Sequence, residues 1–144
     1  MGSNNADTVT LELPCHPQYL LVVRLTAGGV GHRAELSVED IEDLKVAIAE
    51  ACTNVINHAF DDSVKETDRK IIIRFTHSNN EVRVEVEDAG SGFDPERIER
   101  DKRTGLEGKG GLGFGLMREL TDNLKIESAP GSGTKVTLIK RAAG

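Results

Sequence analysis

From Thr8 to Leu13 polar and apolar residues alternate, with Val9, Leu11 and Leu13 on one side, until Pro14 and Pro17 end the run. A period of two predicts a half-buried strand. Between Gln18 and about Ala34 the apolar positions Leu21, Val22, Leu25 and Val30 fit a helical stripe, although Gly28, Gly29 and Gly31 weaken its second half. The longest regular pattern follows Ser37-Val-Glu-Asp40, a hydroxyl three positions before a carboxylate, which signals a helix start. It predicts a helix over 38–59 whose core stripe is Leu44, Ile48, Ala51 and Val55. Ala47, Glu50, Asn54 and Asn57 recur about 100° round the same helix, so a second face lies beside the core stripe.

After a charged loop at 61–68, residues 70–76 and 81–87 read as two strands of a hairpin turning at Ser78-Asn79-Asn80. Val82, Val84 and Val86 point to one face of the second strand, Arg83, Glu85 and Glu87 to the other. Residues 94–110 are charged, and predict a short helix from Pro95 followed by a mobile loop. Glycines at 108, 110, 111, 113 and 115 then lead into a helix over 114–122. A second hairpin, 125–128 with 134–140, closes around Pro130-Gly-Ser-Gly133. The expected architecture is an α+β two-layer sandwich, helices on one face of a mixed, mainly antiparallel sheet. Residues 1–7 are expected to be a flexible N-terminus and 8–144 one domain.

Composition narrows the function. The 144 residues carry a net charge of −6 and a pI near 5.2, so no global basic surface exists to track a phosphate backbone. With four Phe, one Tyr and no Trp there is little to stack on bases, and direct nucleic-acid binding is not expected. Cys15 and Cys52 stand far apart without a CxxC or Cys/His cluster, which predicts reduced thiols. The longest apolar run, Tyr19–Val23, is far too short to span a membrane, and the N-terminus lacks a signal peptide's pattern, so a cytoplasmic protein is expected.

Three clusters carry candidate chemistry. Glu50 and Asn54 are adjacent on one helix face, where a carboxylate can take a proton and an amide oxygen can ligate a hard cation. Taken alone, such a pair is usually a solvated face, and His58 alone is usually a hydrogen-bonded structural residue. Asp88-x-Gly90-x-Gly92 closes a strand; its aspartate can accept from an exocyclic amine while the glycines let backbone approach a flat ligand. Gly111-Leu-Gly113-Phe-Gly115 enters a helix and offers backbone N–H groups to phosphate. Gly108, Gly110 and Gly113 satisfy GxGxxG, but no apolar strand precedes them, and Lys109 is followed by Gly110 rather than the Ser or Thr of a phosphate-binding P-loop.

The order of these motifs, with a late Gly133-Thr134, resembles the ATP-binding domain shared by gyrase, the Hsp90 chaperone, histidine kinases and MutL. Arg24-Leu-Thr26, Gly29-Val30, Glu39-Asp-Ile-Glu-Asp-Leu-Lys45 and Glu50-Ala-Cys-Thr-Asn54-x-x-Asn57-His58-Ala59 are similar to the anti-sigma factor serine kinases of the RsbW and sporulation type. The resemblance runs from about Val9 to Ile139. It implies the Bergerat ATP-binding fold, ATP and Mg²⁺ as cofactors, Asn54 as the Mg²⁺ ligand and Glu50 as the base for a substrate serine. It further implies Asp88 as acceptor of the adenine amine, Gly90 and Gly92 along the base, and Thr134 near it. Gly111, Gly113 and Gly115 would cradle phosphate, with Asn57, His58 and Lys109 also at the nucleotide and Lys102 and Arg103 as further cations.

The implied partners are a STAS-type anti-anti-sigma factor, phosphorylated on serine, an alternative RNA polymerase sigma factor, and a second copy of the chain meeting it through the first helix and first strand. A switch kinase of a stressosome-like scaffold, or a nucleotide-gated binding module with negligible phosphotransfer, are the alternatives. Two departures stand out: the stretch between Phe93 and Gly110 is short, and Gly115 replaces a bulkier residue.

Overall fold

A computed structural model describes residues 7–78, 80–96 and 113–143. Five strands, β1 (Asp7–Pro14), β2 (Lys70–Ser78), β3 (Glu81–Asp88), β4 (Asn123–Ser128) and β5 (Thr134–Arg141), form one sheet in the order β1-β2-β3-β5-β4. All four pairings are antiparallel, so the sheet is antiparallel throughout these residues rather than mixed. Helices α1 (Leu20–Arg33), α2 (Val38–Asn54) and α3 (Phe114–Leu120) complete the expected two-layer sandwich.

The sheet's inner face follows the period of two. Ile71, Ile73 and Phe75 on β2, Val82, Val84 and Val86 on β3, and Val136 and Leu138 on β5 are all buried against the helices. Helix α2 begins as its sequence predicts, with the Ser37 hydroxyl accepting from the Asp40 N–H at 3.0 Å. Leu44, Ile48, Ala51 and Val55 enter the core as expected. Ala47 is also fully buried, so the face beside the core stripe is only partly polar.

Two expectations need correction. The buried stripe of α1 is Val23, Ala27, Val30 and Gly31, whereas Leu21, Val22 and Leu25 are exposed at 62%, 41% and 68%. Small residues won because they admit close helix contact: a Cβ on Gly31 would stand 2.7 Å from Cγ1 of Ile41. Nor does α2 continue regularly to residue 59. It ends at Asn54, and Val55–Ala59 form a π-helical turn, a widened turn that frequently marks a functional site. Beyond β3, Asp94 accepts from the Glu96 N–H as the chain turns helical at Pro95; the rest of the expected short helix and loop lies outside the described residues.

Candidate functional site

A cleft of about 430 Å³, open solvent included, lies between the end of α2 and the adjoining ends of β3 and β5. Its apolar walls are Ala51 and Val55 from α2 and its π turn, Val86 from β3, Val136 from β5, and Phe93 and Phe114. The polar groups facing it are Asn54, His58, Asp88 and Thr134.

Asp88 is the last residue of β3 and pairs with Thr134, the first of β5, so antiparallel register sets the two side by side. With period two, Val86 shares the face of Asp88 and Val136 that of Thr134, which puts an apolar wall directly behind both polar groups. Asp88 is 8% exposed, and its Oδ1 accepts from the Gly90 N–H at 2.8 Å. Burial pushes its carboxyl above the ordinary aspartate value, against the lowering effect of the Gly90 N–H; nearby Glu87 adds to the rise and the Thr134 N–H opposes it. A carboxylate at the end of an apolar slot is suited to a flat heterocycle carrying an amine, which can return a hydrogen bond to it.

The glycines of this region are required by backbone packing. A Cβ on Gly90 would lie 2.2 Å from the Ala59 carbonyl oxygen, and one on Gly92, at φ +68°, 2.1 Å from that of Ala129. The loop after β3 is thereby pressed between the end of the π turn and the β4–β5 hairpin. Helix ends leave carbonyls without partners, and here Ala59 accepts from the Ser91 N–H at 2.8 Å. From the hairpin, Gly131 donates its N–H to the Ser91 carbonyl at 2.6 Å, and Ser128 Oγ accepts from the Phe93 N–H at 2.9 Å.

The expected residues are therefore distributed unevenly. Asn54, His58, Asp88, Gly92 and Thr134 line the cleft. Gly90 is not among the lining residues; it packs closely against Ala59. Glu50 lies one helical turn before Asn54, outside the lining, with its carboxylate against Gly113: a Cβ there would be 2.6 Å from Glu50 Oε2. Gly113 has φ +76° and caps α3, while Gly115 has nothing within 4 Å of its Cβ position and sits exposed in that helix. Asn57 is exposed on the π turn and does not line the cleft. Lys102, Arg103, Lys109 and Gly111 lie outside the described residues.

The pattern of residues did not single out the walls or the braces. Phe93 and Phe114, whose ring centroids are 5.9 Å apart, flank motif glycines at Gly92 and Gly113, and that adjacency was the available signal. Ser128 had none in local pattern, because it acts on a loop far away in sequence, whereas Gly133 stood in the late Gly-Thr motif.

The chain matches the histidine kinase-like ATPase domain over residues 13–140. It is 35% identical to the serine-protein kinase RsbW of Bacillus velezensis, across 99% of this chain and 90% of that protein. To the RsbW of Bacillus subtilis it is 33% identical, across 98% and 89%. In structure it is similar to the RsbU and RsbW domains of a Mycobacterium tuberculosis protein, with a TM-score of 0.66 and 19% identity over 94% of this chain and 32% of that one, a likeness of fold. Since the match runs through every element that builds the cleft, the chain belongs to the histidine kinase-like ATPase domain family and, within it, to the RsbW-type serine-protein kinases.

Proposed function

We propose that the chain is an ATP-dependent protein-serine kinase and anti-sigma factor: it sequesters an alternative sigma factor and phosphorylates a STAS-type anti-anti-sigma factor on serine. The observation that carries this reading is the buried Asp88 at one end of an apolar cleft whose helical wall continues through Asn54 to Glu50. Adenine would occupy the slot with its amine on Asp88, and the phosphates would extend along α2. The fit to Mg²⁺ lies in Asn54, which lines the cleft and carries a hard amide oxygen; such a cation completes its shell with water and phosphate. Asn54 would hold the cation, which neutralises phosphate charge when bound. Glu50 would accept the proton of the attacking serine hydroxyl; transfer needs little beyond such positioning.

The same reading covers the partners and the setting. The exposed Leu21, Val22 and Leu25 of α1 and Val9 on the edge strand β1 form the surface through which two copies would meet. Among the described residues no helix is long and apolar enough to cross a membrane, and the proposed site of action is the cytoplasm, in control of stress transcription. The test is γ-phosphate transfer from Mg-ATP to STAS-domain proteins of the same source, with Glu50→Ala beside the wild type. Label on a serine of one candidate that vanishes with the variant is the expected result. Nucleotide binding with no transfer to any candidate would overturn the kinase reading and leave a nucleotide-gated binding module.

A further inference from the structure

The Ser128 hydroxyl sits behind the cleft at the centre of three contacts. Its Oγ lies 2.9 Å from the Phe93 N, 3.0 Å from the Gly133 carbonyl oxygen and 2.8 Å from Thr134 Oγ1. A serine hydroxyl has one proton to give and two lone pairs with which to accept. The Phe93 N–H can only donate and the Gly133 carbonyl can only accept, so the serine proton goes to Gly133 and one lone pair goes to Phe93. The remaining lone pair faces Thr134, and that contact is a hydrogen bond only when Thr134 donates. If Ser128 gave its proton to Thr134 instead, its oxygen would meet the Gly133 oxygen lone pair to lone pair.

We infer that Ser128 is a positioning residue that turns the Thr134 hydroxyl proton away from the cleft, so that Thr134 and Asp88 both present acceptors and the pocket selects a purine bearing a 6-amino group. The inference rests on the ATP reading and adds a cause of base preference to it. Thr134 lines the cleft and Ser128 does not, so Ser128 acts through its neighbour. The backbone makes the arrangement rigid. Gly133 holds φ +74°, and a Cβ there would come within 2.3 Å of the Asp88 carbonyl oxygen, so the hairpin turn seats directly on the strand end that carries the carboxylate. A 6-oxo purine would bring its oxygen against these acceptors, whereas a 6-amino purine brings donor hydrogens.

Inosine triphosphate replaces the 6-amino donor of ATP by a 6-oxo acceptor and carries a proton on N1, so the ratio of the two affinities reads how the pocket meets that whole edge of the base. The wild type should prefer ATP, and Ser128→Ala should narrow the preference about ten-fold, because the released Thr134 hydroxyl can then donate to the 6-oxo group. Ser128→Cys keeps the volume with a poor hydrogen-bonding group and should narrow it likewise, while Ser128→Thr should restore it. Thr134→Val should also narrow the ratio, and Ser128→Ala added to it should change the ratio no further, since no hydroxyl remains to orient. A merely structural Ser128 would weaken both nucleotides equally; an unchanged ratio in the Ala and Cys variants, or independent effects in the double variant, overturns the inference. A wild type that binds neither nucleotide refutes the ATP reading itself.

Discussion

Gly113 offers a direct test of whether the cap of α3 sets the proposed base. The residue holds φ +76°, and the Cβ of an alanine would stand 2.6 Å from Glu50 Oε2, 3.5 Å from its Cδ and 3.6 Å from its Cβ. Left-handed backbone costs a non-glycine residue about 1–2 kcal/mol, which for a domain of this size lowers the melting temperature by roughly 3–6 °C. The steric conflict adds little to that, because the atom struck is the end of a flexible side chain, which will rotate away. Gly113→Ala should therefore move Glu50 without abolishing the fold. A displacement of about 1 Å at a proton-accepting group can cost on the order of a hundred-fold in rate. The expected outcome is a phosphotransfer rate reduced ten- to a hundred-fold, on the order of the cost of a misplaced acid–base group, with nucleotide affinity retained, because Glu50 does not line the cleft. Gly115→Ala is the control for stability: nothing lies near its Cβ position, and alanine in a helix should raise stability by up to about 1 kcal/mol. Single-turnover transfer, fluorescence titration of nucleotide and thermal melts read the three quantities. A Gly113→Ala protein that melts lower yet transfers at the wild-type rate would show that this contact does not hold the carboxylate in place.

Further tests address the cleft and the core. Asp88→Asn should weaken ATP binding by about ten-fold or more, as expected when a charged acceptor is lost from a buried hydrogen bond. The same variant should melt higher than the wild type at neutral pH without nucleotide. The carboxyl of Asp88 titrates above its ordinary value in the folded protein, so its contribution to stability is fully present below the ordinary value and is lost as pH rises through the raised one; the advantage of Asn should accordingly disappear in acid. Equal melting at both pH values would contradict the account. Cys52 is fully buried with its thiol pushed up to about 12, chiefly by burial, so alkylation under native conditions should proceed only as fast as the protein opens; rapid labelling in the folded state, followed by peptide mapping, would count against its position. Lys140 reaches the Leu120 carbonyl at 2.8 Å, Asp43 at 3.5 Å and Asp40 at 3.8 Å, joining β5 to both α2 and α3. Lys140→Met should cost about 1–3 kcal/mol in a denaturant melt, since it leaves two part-buried carboxylates without their cation.

Much of this molecule was legible as local pattern, because the forces concerned act within a few residues. Alternation of Val82, Val84 and Val86 marks a strand with one buried face whatever it packs against, and Ser37 caps α2 through an N–H three positions away. The order of the motifs likewise carried the family, as the match over residues 13–140 bears out. Packing decided the rest. Leu21 and Leu25 are more hydrophobic than Ala27 and Gly31, yet α1 buries the small residues, because close approach to Ile41 depends on the partner's shape and not on α1 alone. The π turn at Val55–Ala59, the seating of Gly90 on Ala59, and the contact of Glu50 with Gly113 each join segments whose meeting no periodicity encodes. Ser128 is the clearest instance: by local pattern it is one polar residue ending a strand, and only when the hairpin folds onto the loop after β3 does its single proton settle which way Thr134 points.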